Sequence, residues 1–212
     1  MGKLVGGING PFIGKVGSVI GSSRNGVPYM KGLYKNRTEV ISEKESFNRR
    51  KFAAAQLWLK PLLGVVRVGF NGISRTSGGF ISAKSHLMRT VLKVEGDKIL
   101  IEPALVKVSS GDLPMAEGAA VSKTAPGELT FTWNAVPFKT EYGRDQVIMV
   151  AYNVEDFKAF YLLPGQFRSS GHDILPINQD LKPGSVLHVY IAFIAADRSR
   201  QSDSLYLGQI TI

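Results

Sequence analysis

The sequence predicts a mostly β fold with some α: an N-terminal β-hairpin, then helices, then a β-sandwich. Three observations predict it. Asn25-Gly26 separates two apolar runs, a capping signal at Ser42 opens a stretch with helical spacing, and seven short strand-like runs follow residue 104. At 212 residues, with 44% hydrophobic and 20% charged residues, the chain has the composition of a globular protein.

The first element lies in a glycine-rich segment, residues 1–37. Gly7, Gly10, Gly14, Gly17 and Gly21 have a spacing that would line one side of a helix. Each would weaken that helix by about 1 kcal/mol relative to alanine, so strands are the preferred reading. Strands at 16–20 and 27–30 would flank Ser23-Arg24-Asn25-Gly26, because Asn-Gly favours a tight hairpin turn. Pro28 then belongs on an edge strand or beside the turn.

Ser42 followed by Glu45 fits a capping box, and Glu43 and Glu45 suit the positive end of a helix. Phe47, Phe52, Ala55, Leu59, Leu62 and Leu63 recur near helical spacing and form its expected buried face. Pro61 ends or kinks this helix near residue 60. Residues 65–70 either continue it or form a short strand. After a loop at 71–79, a weaker helix is expected over 80–92. Strands are expected at 105–109, 128–134, 146–153, 159–163, 174–177, 186–195 and 205–212. The alternation is clearest in Leu129-Thr130-Phe131-Thr132-Trp133. The chain thus divides into a basic, glycine-rich hairpin and helical region, 1–103, and a sandwich, 104–212.

The run Leu181-Lys182-Pro183-Gly184-Ser185-Val186-Leu187-His188-Val189-Tyr190 resembles the L-x-P-G corner of fibronectin type III domains. Residues 195–204 resemble their F–G hairpin, and Leu129 to Trp133 resembles their second strand with its buried tryptophan. Leu187 stands where that family usually has its corner tyrosine, and residues 153–173 hold extra material. The resemblance covers about half the chain and implies a fibronectin type III-like β-sandwich, a domain type that mediates contacts. Over its whole length, the chain resembles an uncharacterised family of unknown function in Bacteroidetes. The carrying features are the glycine pattern of residues 11–21, the helix reaching Leu59 to Pro61, the turn Ser110-Gly111-Asp112-Leu113-Pro114 and the ending Tyr206-Leu207-Gly208. That resemblance implies a bacterial source and no particular activity. It also implies that the basic half and the sandwich occur together.

Catalytic patterns are absent from the sequence. No G-x-G occurs, so neither the dinucleotide fingerprint nor a kinase glycine loop is present, and H-E-x-x-H and G-x-S-x-G are missing too. With no cysteine, disulfides and thiolate sites are excluded. His86, His172 and His188 fall in separate predicted elements, which disfavours a shared metal. Ser170, His172 and Asp173 have the residue types of a hydrolase triad, but lie too close along the chain for its geometry and read as a polar turn. The expectation is therefore no enzyme, no cofactor and no metal. No apolar run is long enough to span a membrane. Asn9, Pro11 and Lys15 interrupt any signal-peptide core, so no conventional signal is expected; the compartment stays open between cytoplasm and release within an assembly.

The net charge of +9 is concentrated at the start. Residues 1–60 carry eleven Lys/Arg against three acids, whereas residues 107–212 carry nine against eleven. Two function classes follow. The first is a structural, self-assembling protein, a subunit of a filament, surface layer or phage-like particle. Its contacts would be made by Gly14, Val16, Gly17, Val19, Gly21 and Tyr29, with a second copy or another protein as partner. The second is a module for nucleic acid or acidic glycan, using Lys31, Lys35, Arg37, Arg49, Arg50 and Lys51. The basic residues are equally compatible with a solvated surface.

Overall fold

The computed structural model describes residues 2–24, 26–34, 41–177 and 181–212. The chain forms two compact units, 1–46 and 47–212, divided inside the first turn of a helix.

The first unit is an antiparallel sheet of four strands in sequential order: β1 (Lys3–Leu4), β2 (Phe12–Val16), β3 (Val19–Arg24) and β4 (Val27–Gly32). The expected hairpin is present as β3 and β4, closed by the Arg24↔Val27 pair around residues 25 and 26. The expected strand at 16–20 straddles a second turn instead. Val16 pairs with Val19, and Gly17, at φ +56, supplies the left-handed residue that this two-residue connection requires. Pro28 sits on β4, an edge strand, as expected. By the alternation of the ladder from Arg24↔Val27, the main-chain groups of Pro28, Met30 and Gly32 point away from β3.

Helix α1 (Glu43–Leu59) starts where Ser42 Oγ accepts the Glu45 N–H at 3.3 Å. Pro61 falls in a short 3-10 turn, Lys60–Leu62, after which α2 (Leu63–Gly69) continues the path. The proline therefore deflects the chain without ending helical structure, because the first turn of a helix needs no proline N–H. Helix α3 (Gly79–His86) runs on through a π turn, Leu87–Val91. A short hairpin, β5 (Lys93–Glu95) and β6 (Lys98–Leu100), follows.

The sandwich has one sheet of β7 (Ala120–Ala125), β8 (Glu128–Thr132) and β11 (His172–Pro176), in the order β11-β8-β7. The facing sheet holds β9 (Gln146–Asn153), β10 (Lys158–Leu162), β12 (Val186–Ile194) and β13 (Leu205–Thr211), in the order β10-β9-β12-β13. This is a fibronectin type III-like arrangement, three strands against four, and the fold is mostly β as expected. Trp133 is buried at the end of β8, where its indole N–H donates to the Arg168 carbonyl at 2.8 Å. The Pro183-Gly184 corner is closed by Ser185 N–H to Lys182 O at 3.0 Å, and Leu187 is buried in the tyrosine's place.

The central strands of the four-stranded sheet, β9 and β12, are buried on both faces. Val147, Met149 and Ala151 of β9, with Leu187, Val189, Ile191 and Phe193 of β12, pack into the sandwich. Their alternating neighbours Ile148, Val150, Tyr152, Tyr190, Ala192 and Ile194 pack under Ala55, Trp58, Leu59, Leu62, Val65 and Val66 from the helices. Tyr152 locks the two layers: its Oη donates to Trp58 O at 3.0 Å, and its ring meets Trp58 edge-on at 4.9 Å. By packing, then, the helices belong with the sandwich, and the division falls at 46/47, away from the expected 103/104.

Two further expectations fail. Residues 105–109 are not a strand: a 3-10 turn, Pro103–Leu105, leads into an irregular run. Val106 and Val108 are buried, which produces the alternation, but the Val108 N–H goes to Ser204 Oγ at 3.0 Å and the Ser110 N–H to Gly69 O at 2.8 Å. The first sandwich strand is β7. Phe52, expected in the buried face of α1, is 49% exposed, with Lys84 Nζ lying 3.8 Å from its ring centroid, and Trp58 takes the buried role.

Candidate functional site

The first unit buries no hydrophobic side chain among its described residues; Gly21 alone is buried there. A sheet of this size is normally stabilised by a hydrophobic face packed on something. Its register shows how the two faces differ, since residues directly opposite on antiparallel neighbours point to the same side.

The pairs Leu4↔Phe12, Gly14↔Gly21, Val16↔Val19 and Gly21↔Met30 put one set of side chains together. This face carries no charge. Leu4 is 61% and Met30 70% exposed, and Val16 is exposed as well. A Cβ on Gly21 would collide with the Phe12 carbonyl and ring, so glycine lets β2 lie close there. Phe12, Pro28 and Met30 also line a groove of about 440 Å3 with the 9–11 turn.

The pairs Lys3↔Ile13, Lys15↔Ile20, Ile20↔Lys31, Ser22↔Tyr29 and Arg24↔Val27 define the opposite face. All four basic residues of the strands, Lys3, Lys15, Arg24 and Lys31, are on it, and residues 1–34 contain no acid. Lys31 Nζ donates to Tyr34 Oη at 2.8 Å and lies 4.9 Å from that ring's centroid. The hydrogen bond raises the Lys31 pKa and lowers that of the Tyr34 phenol.

Of the expected assembly residues, Gly14, Val16, Val19 and Gly21 come together on the uncharged face. Gly17 is in the β2–β3 turn, and Tyr29 lies on the basic face. Of the expected polyanion residues, Lys31 is on the basic face, and Lys35 and Arg37 lie outside the described residues. Arg49, Arg50 and Lys51 belong to α1 in the second unit. Arg50 pairs with Asp97 at 3.2 Å, and Arg50 and Lys51 lie 5.2 and 5.1 Å from the Phe47 ring centroid. Sequence reasoning missed Lys3, Lys15 and Arg24. Period-two alternation carried outward from Asn25-Gly26 gives Arg24 and Lys31 one side, and the Gly17-Ser18 turn then adds Lys15.

Hydrolase geometry is not formed at 170–173. Asp173 accepts the N–H groups of Gln166 and Ile174 at 2.7 and 2.8 Å, and His172 Nδ1 lies 3.1 Å from Ser170 O. Among the described residues, no three His, Asp or Glu side chains cluster to hold a metal, and no helix is long and apolar enough to cross a membrane.

A model of a family of unknown function, DUF6266, matches residues 11–208. The chain belongs to that family. The match runs from the hairpin sheet through the sandwich, so the basic segment and the sandwich are parts of one family pattern. No curated protein matches the chain. Among solved structures, the chain is similar to the solution structure of the fn3 domain of the human collagen alpha-1(XX) chain. The identity is 18%, over 46% of this chain and 84% of that one, with a TM-score of 0.32.

Proposed function

We propose that this protein is a non-enzymatic structural protein that assembles with copies of itself, as the subunit of a filament, surface layer or phage-like particle. The observation that carries this reading is the uncharged, apolar, solvent-exposed face of the N-terminal sheet, in a unit with no buried hydrophobic side chain among its described residues. Covering Leu4, Phe12, Val16, Val19 and Met30 would stabilise an assembly by roughly 1 kcal/mol for each half-exposed side chain. A second copy suits the face because like faces bring no like charges together. The sandwich, with its doubly buried sheet, is the rigid body that such contacts would array. Sedimentation velocity and negative-stain microscopy test this: the full chain is expected to form oligomers that dissociate when residues 1–37 are deleted. A full chain that stays monomeric at high concentration refutes it.

A second reading rests on the opposite face. Lys3, Lys15, Arg24 and Lys31 on one side of a sheet, with no acid among residues 1–34, suit a nucleic acid or acidic glycan. Four contacts to duplex phosphates predict that log affinity falls with log salt at a slope of about −3 to −4. Absent or salt-insensitive binding of DNA, RNA and heparin rejects this reading.

A further inference from the structure

Within the second unit, a groove of about 490 Å3 runs along one side of α3. Ser82, Ser85, His86, Arg89 and Thr90 recur at helical spacing, so a single stripe of α3 and its π turn carries them. Ser74 and Ser77 reach the groove from the preceding loop, and Ser110 from the segment after β6. Phe70 and Ile73 supply apolar surface. Six hydroxyl-bearing side chains, one guanidinium and one imidazole therefore line the same space, and no carboxylate does among the described residues.

Two features of the lining bear on what it could hold. Arg89 is pre-positioned: its Nη2 donates to Ser85 Oγ at 2.6 Å and its Nε to Ser85 O at 3.3 Å, which fixes the fork and leaves its other N–H donors open. Burial pushes the His86 pKa down, with Lys107 and Arg89 acting the same way and Asp203 opposing, which favours the neutral imidazole.

We infer that this groove binds a small polyhydroxylated anion, a phosphate monoester of a polyol or monosaccharide. Arg89 takes the anionic group, and Ser77 and Ser85 take the hydroxyls. The volume falls within the range of about 300–1,000 Å3 common for small-molecule pockets. A lining with many donors and no carboxylate favours an anion over a cation or an apolar ligand. The inference is independent of how the N-terminal sheet is used.

Equilibrium dialysis of the full chain with labelled glucose 6-phosphate, and separately with labelled glucose, tests it. Saturable retention of the phosphate ester at millimolar concentration is expected, with none for glucose. Arg89→Met is expected to weaken retention about tenfold or more, the size of one lost charge-assisted hydrogen bond pair. Ser85→Ala is expected to weaken it too, since it removes a hydroxyl of the lining and the contact that holds Arg89 in place. Lys123→Met, on β7, should bind like the parent and so controls for general loss of charge. Retention unchanged in Arg89→Met, or no saturable retention at all, overturns the site. Inorganic phosphate displacing the ester at equal concentration overturns the polyol component.

Discussion

Asp145 makes the stability of the second unit depend on pH in a direction opposite to that of most carboxylates. Its side chain and that of Arg168 are each 5% exposed, and the closest approach is 3.7 Å. Arg168 spends its fork elsewhere, donating to Pro114 O at 3.0 Å and Met115 O at 2.6 Å. Asp145 Oδ2 is buried without a hydrogen bond. Burial therefore outweighs the pull of Arg168 and Arg200 and pushes the Asp145 pKa from 3.8 up to about 6. Between these values, the folded chain holds a proton that the unfolded chain has released. The group's contribution is thus most favourable in acid and is lost as pH rises through about 6. From about pH 4.5 to pH 7, the loss amounts to about 2 kcal/mol at 1.36 kcal/mol per unit. Asp145→Asn removes this titration. Urea unfolding followed by the fluorescence of Trp58 and Trp133 should show the stability difference, parent minus variant, falling by about 2 kcal/mol over that interval. A difference that does not change with pH refutes the argument, whatever the variant does to stability at one pH.

Three further outcomes are expected. Met30→Glu places a carboxylate on the uncharged face at an exposed position. It should leave the melting temperature of the second unit unchanged while abolishing oligomers in sedimentation velocity, because the charge would be buried only on assembly. Gly69→Ala should destabilise by about 1–3 kcal/mol in urea unfolding, since the new methyl meets the Val108 carbonyl and lies 2.9 Å from Ser109 Cα. A fragment of residues 104–212 should aggregate or bind a hydrophobic dye, because it exposes Ile148, Val150, Tyr152, Tyr190 and Ile194, which the helices cover.

Features encoded by local chemistry were legible in the sequence. Asn25-Gly26 located the β3–β4 hairpin, Ser42 located the start of α1, and the Pro183-Gly184 corner marked the entry to β12. Features decided by tertiary placement were not. Alternation at 105–109 reports which side of a segment is buried, and Val106 and Val108 satisfy it without any ladder. Strand β7 has weak alternation because it is an edge, although Pro126-Gly127 between it and β8 was a readable turn signal. The double burial of β9 and β12 was also written in the sequence, as runs apolar at both alternating positions, a pattern that calls for a second covering layer. The basic face required the register of two successive turns, and composition alone had assigned its charge to α1 as well.

The layer of helices on β9 and β12 also bears on the order of synthesis. Trp58 leaves the ribosome 94 residues ahead of Tyr152, the side chain that hydrogen-bonds to its carbonyl. At about 5–20 residues per second, that interval is roughly 5–20 seconds. For that time, the apolar side of α1 and α2 has no sheet to cover it. The nascent chain must carry this uncovered segment until β9 and β12 have been made. The pace of synthesis between α2 and β9 therefore sets how long that apolar side stays uncovered.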